Sequence, residues 1–153
     1  MFEIALFEPE IPPNTGNIIR LGANTGINIH LIEPLGFSID DKQMRRAGLD
    51  YHKDISLNVH KNFNEFLEKT KDKRIFAVST KGEKYYHEIN YKSGDIFLFG
   101  PESRGLPQNI LEQFSKTLIR IPMQKNSRSL NLSNTAAILA YEALRQTNFI
   151  NLS

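Results

Sequence analysis

An α/β fold, with a mostly parallel sheet flanked by helices, is predicted by three observations. Short apolar runs of strand length alternate along the chain with segments of helical character. Dense polar loops follow several of the strand-like runs, as ligand-binding loops do at the carboxyl ends of parallel strands. The 153 residues contain no internal repeat, low-complexity segment or long linker, so one domain spanning 1–153 is expected.

Phe2 to Phe7 reads as the first strand. Asn14 can cap a helix running to Asn24, and Asn28 to Ile32 forms a second strand stopped by Glu33-Pro34. A short helix is expected over Lys42 to Ala47. Asn62-Phe63-Asn64-Glu65 has capping-box spacing and opens a helix to about Lys69. Arg74 to Thr80 and Asp95 to Gly100 are two further strands. Pro107 occupies a first helical position ahead of Gln108 to Gln113. Thr117 to Ile121 is the next strand, and the last helix runs from Thr135 to about Gln146. That helix is apolar on most faces, which implies burial on more than one side. A second subunit would supply that burial, with Ala136, Ala140 and Ala143 allowing close approach of another helix; a central core helix would serve equally.

Composition narrows the chemistry. With no cysteine there is no disulfide, thiolate metal site or cysteine nucleophile. His30, His52, His60 and His87 lack metal-ligand spacing, so no metal is expected. No apolar run approaches the ~20 residues needed to span a bilayer. The amino terminus carries acids where a signal peptide carries bases, so a cytoplasmic protein is expected. The net charge of +2 is too mild to establish a nucleic-acid partner. Lys42, Arg45 and Arg46 cluster, as do Lys69, Lys71, Lys73 and Arg74, and Lys125 with Arg128. Clusters of this kind are ordinarily solvated surface, except where one shares a face with a binding loop.

Three polar segments carry the functional signal. Ile121 to Asn134 packs serines, asparagines and an arginine between a strand and an apolar helix. Such groups are costly to bury and useful when they line a pocket for a polar ligand. Gly100-Pro-Glu-Ser-Arg-Gly105 is a turn whose glycines permit left-handed backbone or close ligand approach. Its spacing is one residue too long for a nucleophile elbow, and Ser103 is not centred in it. Glu102, the only acid in that turn, can accept bonds from a ligand or pair with Arg20 or Arg104. In the first helix Asn17, Arg20 and Asn24 share an arc of roughly 60°. That arc is either a solvated stripe or an arginine fork aimed at a phosphate or carboxylate. No glycine-rich dinucleotide fingerprint follows the first strand, and there is no P-loop.

Taken together and in this order, these segments resemble the SPOUT class of RNA methyltransferases, and within it the short subfamily that 2′-O-methylates the wobble nucleotide of tRNA. The resemblance rests on Asn14-Thr-Gly-Asn17-Ile-Ile-Arg20 with Asn24-Thr-Gly26, on Phe99-Gly100-Pro-Glu102-Ser-Arg-Gly105-Leu-Pro107, and on Ile121-Pro-Met123 with Ser129-Leu-Asn131-Leu-Ser133-Asn134. It takes in Arg45-Arg46-Ala-Gly-Leu-Asp-Tyr51-His52 as well. What it implies is a deep trefoil knot in the carboxyl-terminal part, a homodimer, and S-adenosylmethionine as cofactor. Cofactor contacts are implied at Val78, Ser79, Gly100, Glu102, Gly105, Ile121, Met123, Ser129, Leu130 and Asn131. Arg20 is implied as the catalytic residue, with Arg45, Arg46 and Arg128 contacting tRNA. An RNA-binding protein without catalysis, or a small enzyme for a free nucleotide, could use the same polar loops.

Overall fold

The computed structural model describes residues 1–43, 46 and 56–153. Seven strands form one sheet: β1 (Glu3–Phe7), β2 (Asn28–Ile32), β3 (Leu57–His60), β4 (Ile75–Val78), β5 (Lys84–Tyr85), β6 (Ile96–Phe99) and β7 (Leu118–Arg120). Their order across the sheet is β3-β2-β1-β6-β4-β7-β5, and every pairing is parallel. The helices are α1 (Pro12–Thr25), α2 (Phe63–Lys69), α3 (Gln108–Gln113) and α4 (Leu132–Gln146).

Alternation along the central strands explains the layering. Ile4 and Leu6 of β1 join Phe97 and Phe99 of β6 in a core that includes Ile18 of α1 and Ala136, Leu139, Ala140 and Ala143 of α4. Ala5 and Phe7 point the other way, into a core with Ile96, Leu98, Phe66 of α2 and Ile110 and Leu111 of α3. Helices therefore cover both faces. This is why β1 and β6 are buried along their whole length and read as continuous apolar runs. Each fully buried large side chain, such as Phe66 or Phe97, contributes about 1.5–3 kcal/mol.

Several boundaries differ from expectation for local reasons. α1 starts at Pro12, not at an Asn14 cap: Pro12 and Pro13 fill its first two positions, and Ile11 is the cap without a side-chain bond. Proline suits those positions because it has no N–H to leave unpaired. α1 ends at Gly26, whose φ of 72° is left-handed. Asn62 caps α2 by accepting from the Glu65 N–H, while the Glu65 carboxylate accepts from the Lys61 N–H, one residue ahead of the cap. Pro107 caps α3 from just outside it, and Asn131 starts α4 three residues before Thr135. Strands β3 and β5 were not expected at all. Ala136, Ala140 and Ala143 are fully buried inside the protomer, so they do not await a partner helix. Of the expected Lys42–Ala47 helix, Lys42, Gln43 and Arg46 are helical, and the rest lies outside the described residues.

One polar cluster sits inside the α2-facing layer. The Glu3 carboxylate bonds His30 Nε2 at 3.0 Å and Lys73 Nζ at 2.5 Å, and His30 Nδ1 meets His60 Nε2 at 2.9 Å. Phe66 packs edge-on against both imidazoles. Burial alone would raise the Glu3 carboxyl, but the bonds and charges of His30 and Lys73 outweigh it and hold it at about 2. Burial first, then the charges of His30 and Lys69, push His60 below its usual 6.5. Both groups bind protons less readily folded than unfolded, so stability is full above pH 6.5 and falls with pH. The decline begins as the unfolded His60 protonates and steepens below 4.5, the ordinary value for Glu3. Thermal unfolding followed from pH 8 to pH 3 should show a midpoint falling through this window, and Glu3→Gln should make the acid limb shallower.

Candidate functional site

Parallel strands place every strand-to-helix turn at one edge of the sheet. The turns after β4, β6 and β7 meet there and enclose a cavity of about 460 Å³, a size suited to a small organic ligand. Val78, Ser79, Gly100, Glu102, Gly105, Ile121, Met123, Ser129, Leu130 and Asn131 all line it. Ile11 and Asn14 of the α1 entry line it too, with Phe99, Leu106 and Leu111 supplying apolar wall. Met123 and Leu130 remain 37% and 41% exposed at the cavity, apolar surface that a ligand with a flat ring would cover.

Two glycines shape the β6 turn for different reasons. A Cβ on Gly100 would lie 2.3 Å from the Leu106 nitrogen, so the turn folds onto bare backbone there. Gly105 needs glycine for its φ of +67°, and a Cβ there would meet nothing within 4 Å.

The turn is fastened to the chain entering α1. Glu102 accepts from the Glu10 N–H at 2.8 Å, the Ile11 N–H at 3.1 Å and Asn14 Nδ2 at 3.3 Å. Ser103 donates to the Glu10 carboxylate, and Arg104 pairs with Glu8. Glu102 thus pairs with neither Arg20 nor Arg104. The 129–134 loop joins the same set. Asn131 Nδ2 donates to Asn14 Oδ1 at 2.9 Å, while Asn131 Oδ1 caps α4 by accepting from the Ser133 and Asn134 N–H groups.

Arg20 is exposed on α1, beside Asn17 and Asn24, and does not itself line the cavity. It lies six residues beyond Asn14, about 9 Å along the helix axis. Arg128 is exposed just ahead of the cavity-lining Ser129, and Arg46 is exposed. Arg45, Tyr51 and His52 lie outside the described residues. Residues that sequence reasoning missed include Lys81 and Thr80, just past β4, and Arg104; their signal was position beyond a strand end. Asn14 was noticed as a helix cap, and the structure gives it a different task. Among the described residues no cluster of histidine and carboxylate side chains could hold a metal ion.

The model of the SpoU rRNA Methylase family matches residues 1–141. A tRNA (cytidine(34)-2′-O)-methyltransferase from Saccharophagus degradans is 57% identical over 150 residues, covering 97% of each chain. A structure described as giving insight into the 2-OH methylation of C/U34 on tRNA superposes with a TM-score of 0.92 at 44% identity, covering 97% of each chain. An AdoMet-bound rRNA methyltransferase from Sinorhizobium meliloti gives a TM-score of 0.84 at 28% identity, over 94% of this chain and 56% of that one.

Replacing Asn131 by alanine removes the α4 cap and the bond to Asn14 together. Urea unfolding should show a loss of about 1–2 kcal/mol, with an unchanged denaturant slope.

Proposed function

The chain belongs to the SpoU rRNA methylase family, and we propose that it transfers a methyl group from S-adenosylmethionine to the ribose 2′-hydroxyl of the wobble nucleotide, cytidine or modified uridine, of tRNA. The observation that carries this reading is the single cavity lined by all ten residues named from three separate loops. The curated relative at 57% identity acts on cytidine 34, and similarity over nearly the whole of both chains supports the same substrate here.

The cavity suits the cofactor. Val78, Phe99, Leu106, Ile121 and Leu130 offer apolar surface for a purine, and Ser79, Ser129 and the backbone at Gly100 and Ile121 offer polar atoms to its edge and ribose. When bound, S-adenosylmethionine supplies a methyl group already activated by its sulfonium leaving group. Among the described residues the lining contains no histidine, and its one carboxylate, Glu102, is engaged by three N–H donors. Among the described residues no ready side-chain base therefore faces the acceptor. Arg20 is no base either, because a guanidinium keeps its proton in proteins. It holds the phosphate beside the acceptor ribose and stabilises the negative charge growing on the 2′-oxygen, while the hydroxyl proton leaves to a phosphate oxygen or water. Orientation supplies much of the acceleration, up to roughly 7–11 kcal/mol in favourable cases. Arg46, Arg45 and Arg128 bind tRNA phosphates.

The reading includes a homodimer in a cytoplasmic enzyme. An apolar strip supports this: Tyr141 is 49% exposed on α4, and Phe149 and Ile150 are exposed just beyond it. No helix of the described residues is long and apolar enough to cross a membrane. A carboxyl-terminal trefoil knot is part of the reading as well. Its support is the tight passage of the turn after β4 over β7, where a Cβ on Gly82 would lie 2.7 Å from the Ile119 carbonyl carbon.

Purified protein should bind S-adenosylmethionine in a calorimeter without RNA, and nucleoside mass spectrometry of treated tRNA should find 2′-O-methylation at position 34. RNA binding without cofactor binding would instead indicate a non-catalytic RNA-binding protein. Arg20→Lys keeps the charge but loses the fork, and should slow single-turnover transfer by about 10²-fold. Sedimentation should give a dimer, and Tyr141→Arg should shift it toward monomer.

A further inference from the structure

Glu102, Asn14 and Asn131 form a chain of hydrogen bonds whose direction is fixed at both ends. At one end the backbone N–H groups of Ser133 and Asn134 can only donate, so Asn131 must present its Oδ1 to them. Its Nδ2 is then left to donate to Asn14 Oδ1 at 2.9 Å. Asn14 in turn must offer Nδ2 to Glu102, whose ionised carboxylate only accepts. Neither amide can be flipped without setting donor against donor or acceptor against acceptor.

The other bonds of Glu102 go to the backbone that starts α1. Pro12 and Pro13 provide no N–H, and the Asn14 and Thr15 N–H groups turn back to the Ile11 carbonyl. The Glu10 and Ile11 N–H groups before them are taken by Glu102. One carboxylate therefore accepts three N–H donors from the α1 entry, and it does so from within the turn that walls the cavity. Asn14 is only 6% exposed, so water does not replace these bonds freely.

We propose that Glu102 and Asn14 are positioning residues: they lock the start of α1, and with it Arg20, to the cofactor cavity, and Glu102 is not a ligand of the methyl donor. This inference rests on the methyltransferase reading. It assigns the relay to the rate of transfer and separates it from donor affinity. Misplacing a reacting group by about 1 Å can slow a reaction by ~10²-fold, which sets the size of the effect.

The test uses full-length protein with S-adenosylmethionine and tRNA. Glu102→Gln puts a donor against the backbone N–H groups, and Asn14→Asp puts a carboxylate against a carboxylate. Each should leave the cofactor dissociation constant within about threefold of wild type while slowing single-turnover transfer by about 10²-fold. Combining them restores a donor–acceptor pair between residues 102 and 14 and lets Asn131 donate to the new carboxylate, while the Ile11 N–H, which shares that Glu102 oxygen with Asn14, still faces the Gln amide, so the rescue is partial. The double variant should recover at least about tenfold of the lost rate. Asn14→Ala, which spares the backbone bonds of Glu102, serves if Glu102→Gln lowers the melting temperature too far for assay, and should show the same split between affinity and rate.

Loss of cofactor affinity in step with rate would make Glu102 a donor ligand and overturn the proposal. Unchanged rates in the single variants, or a double variant no faster than either, would overturn it too. Wild-type protein that binds the donor yet transfers nothing to tRNA would instead refute the underlying methyltransferase reading.

Discussion

The constraint on which the rest of the molecule depends is the common direction of all seven strands. Parallel strands cannot be joined by tight hairpins, so each connection must cross a face of the sheet, and both faces become covered. The same geometry gathers the turns after β4, β6 and β7 at one edge, although their ends at Val78, Phe99 and Arg120 lie 21 positions apart in each case. A composite cavity built from distant loops is a direct result. Nothing local in any one loop would make it.

Covering both faces has a second consequence. A polar group on a central strand has no water to turn to and must find partners in the protein. Glu3 and His30 meet this demand through one another, Lys73 and His60. On the cavity side, Glu102 meets it through backbone N–H groups and an asparagine amide. The two solutions differ in what they support. The first anchors β1, β2 and β3 beneath α2, and none of its residues lines the cavity, whereas the second ties together the segments that surround the cavity.

Much of this was legible in the amino-acid order. Phe2–Phe7, Asn28–Ile32 and Asp95–Gly100 are apolar runs flanked by breakers, and each contains an observed strand with at most two residues trimmed. The three polar loops were legible as a single site because their positions beyond strand ends follow from the class of fold. Leu57-Asn-Val-His60 was not legible: it lies at the sheet edge, half-buried, and its two polar residues mask the pattern. Lys84–Tyr85 is simply too short to carry a period. The work of Asn14 was misjudged for a different reason. Local rules favour asparagine as a cap, but its partners are 88 and 117 residues away, and no window-based pattern carries such a pairing.

The fixed polarity of the Glu102–Asn14–Asn131 chain also limits how this molecule can drift. A single replacement that reverses a donor or acceptor anywhere along it leaves two like groups facing each other across a half-buried gap. Escape requires compensating changes at two sites that lie far apart along the chain. The arrangement therefore behaves as a combination lock in sequence space, where intermediates with one dial turned are less fit than either end.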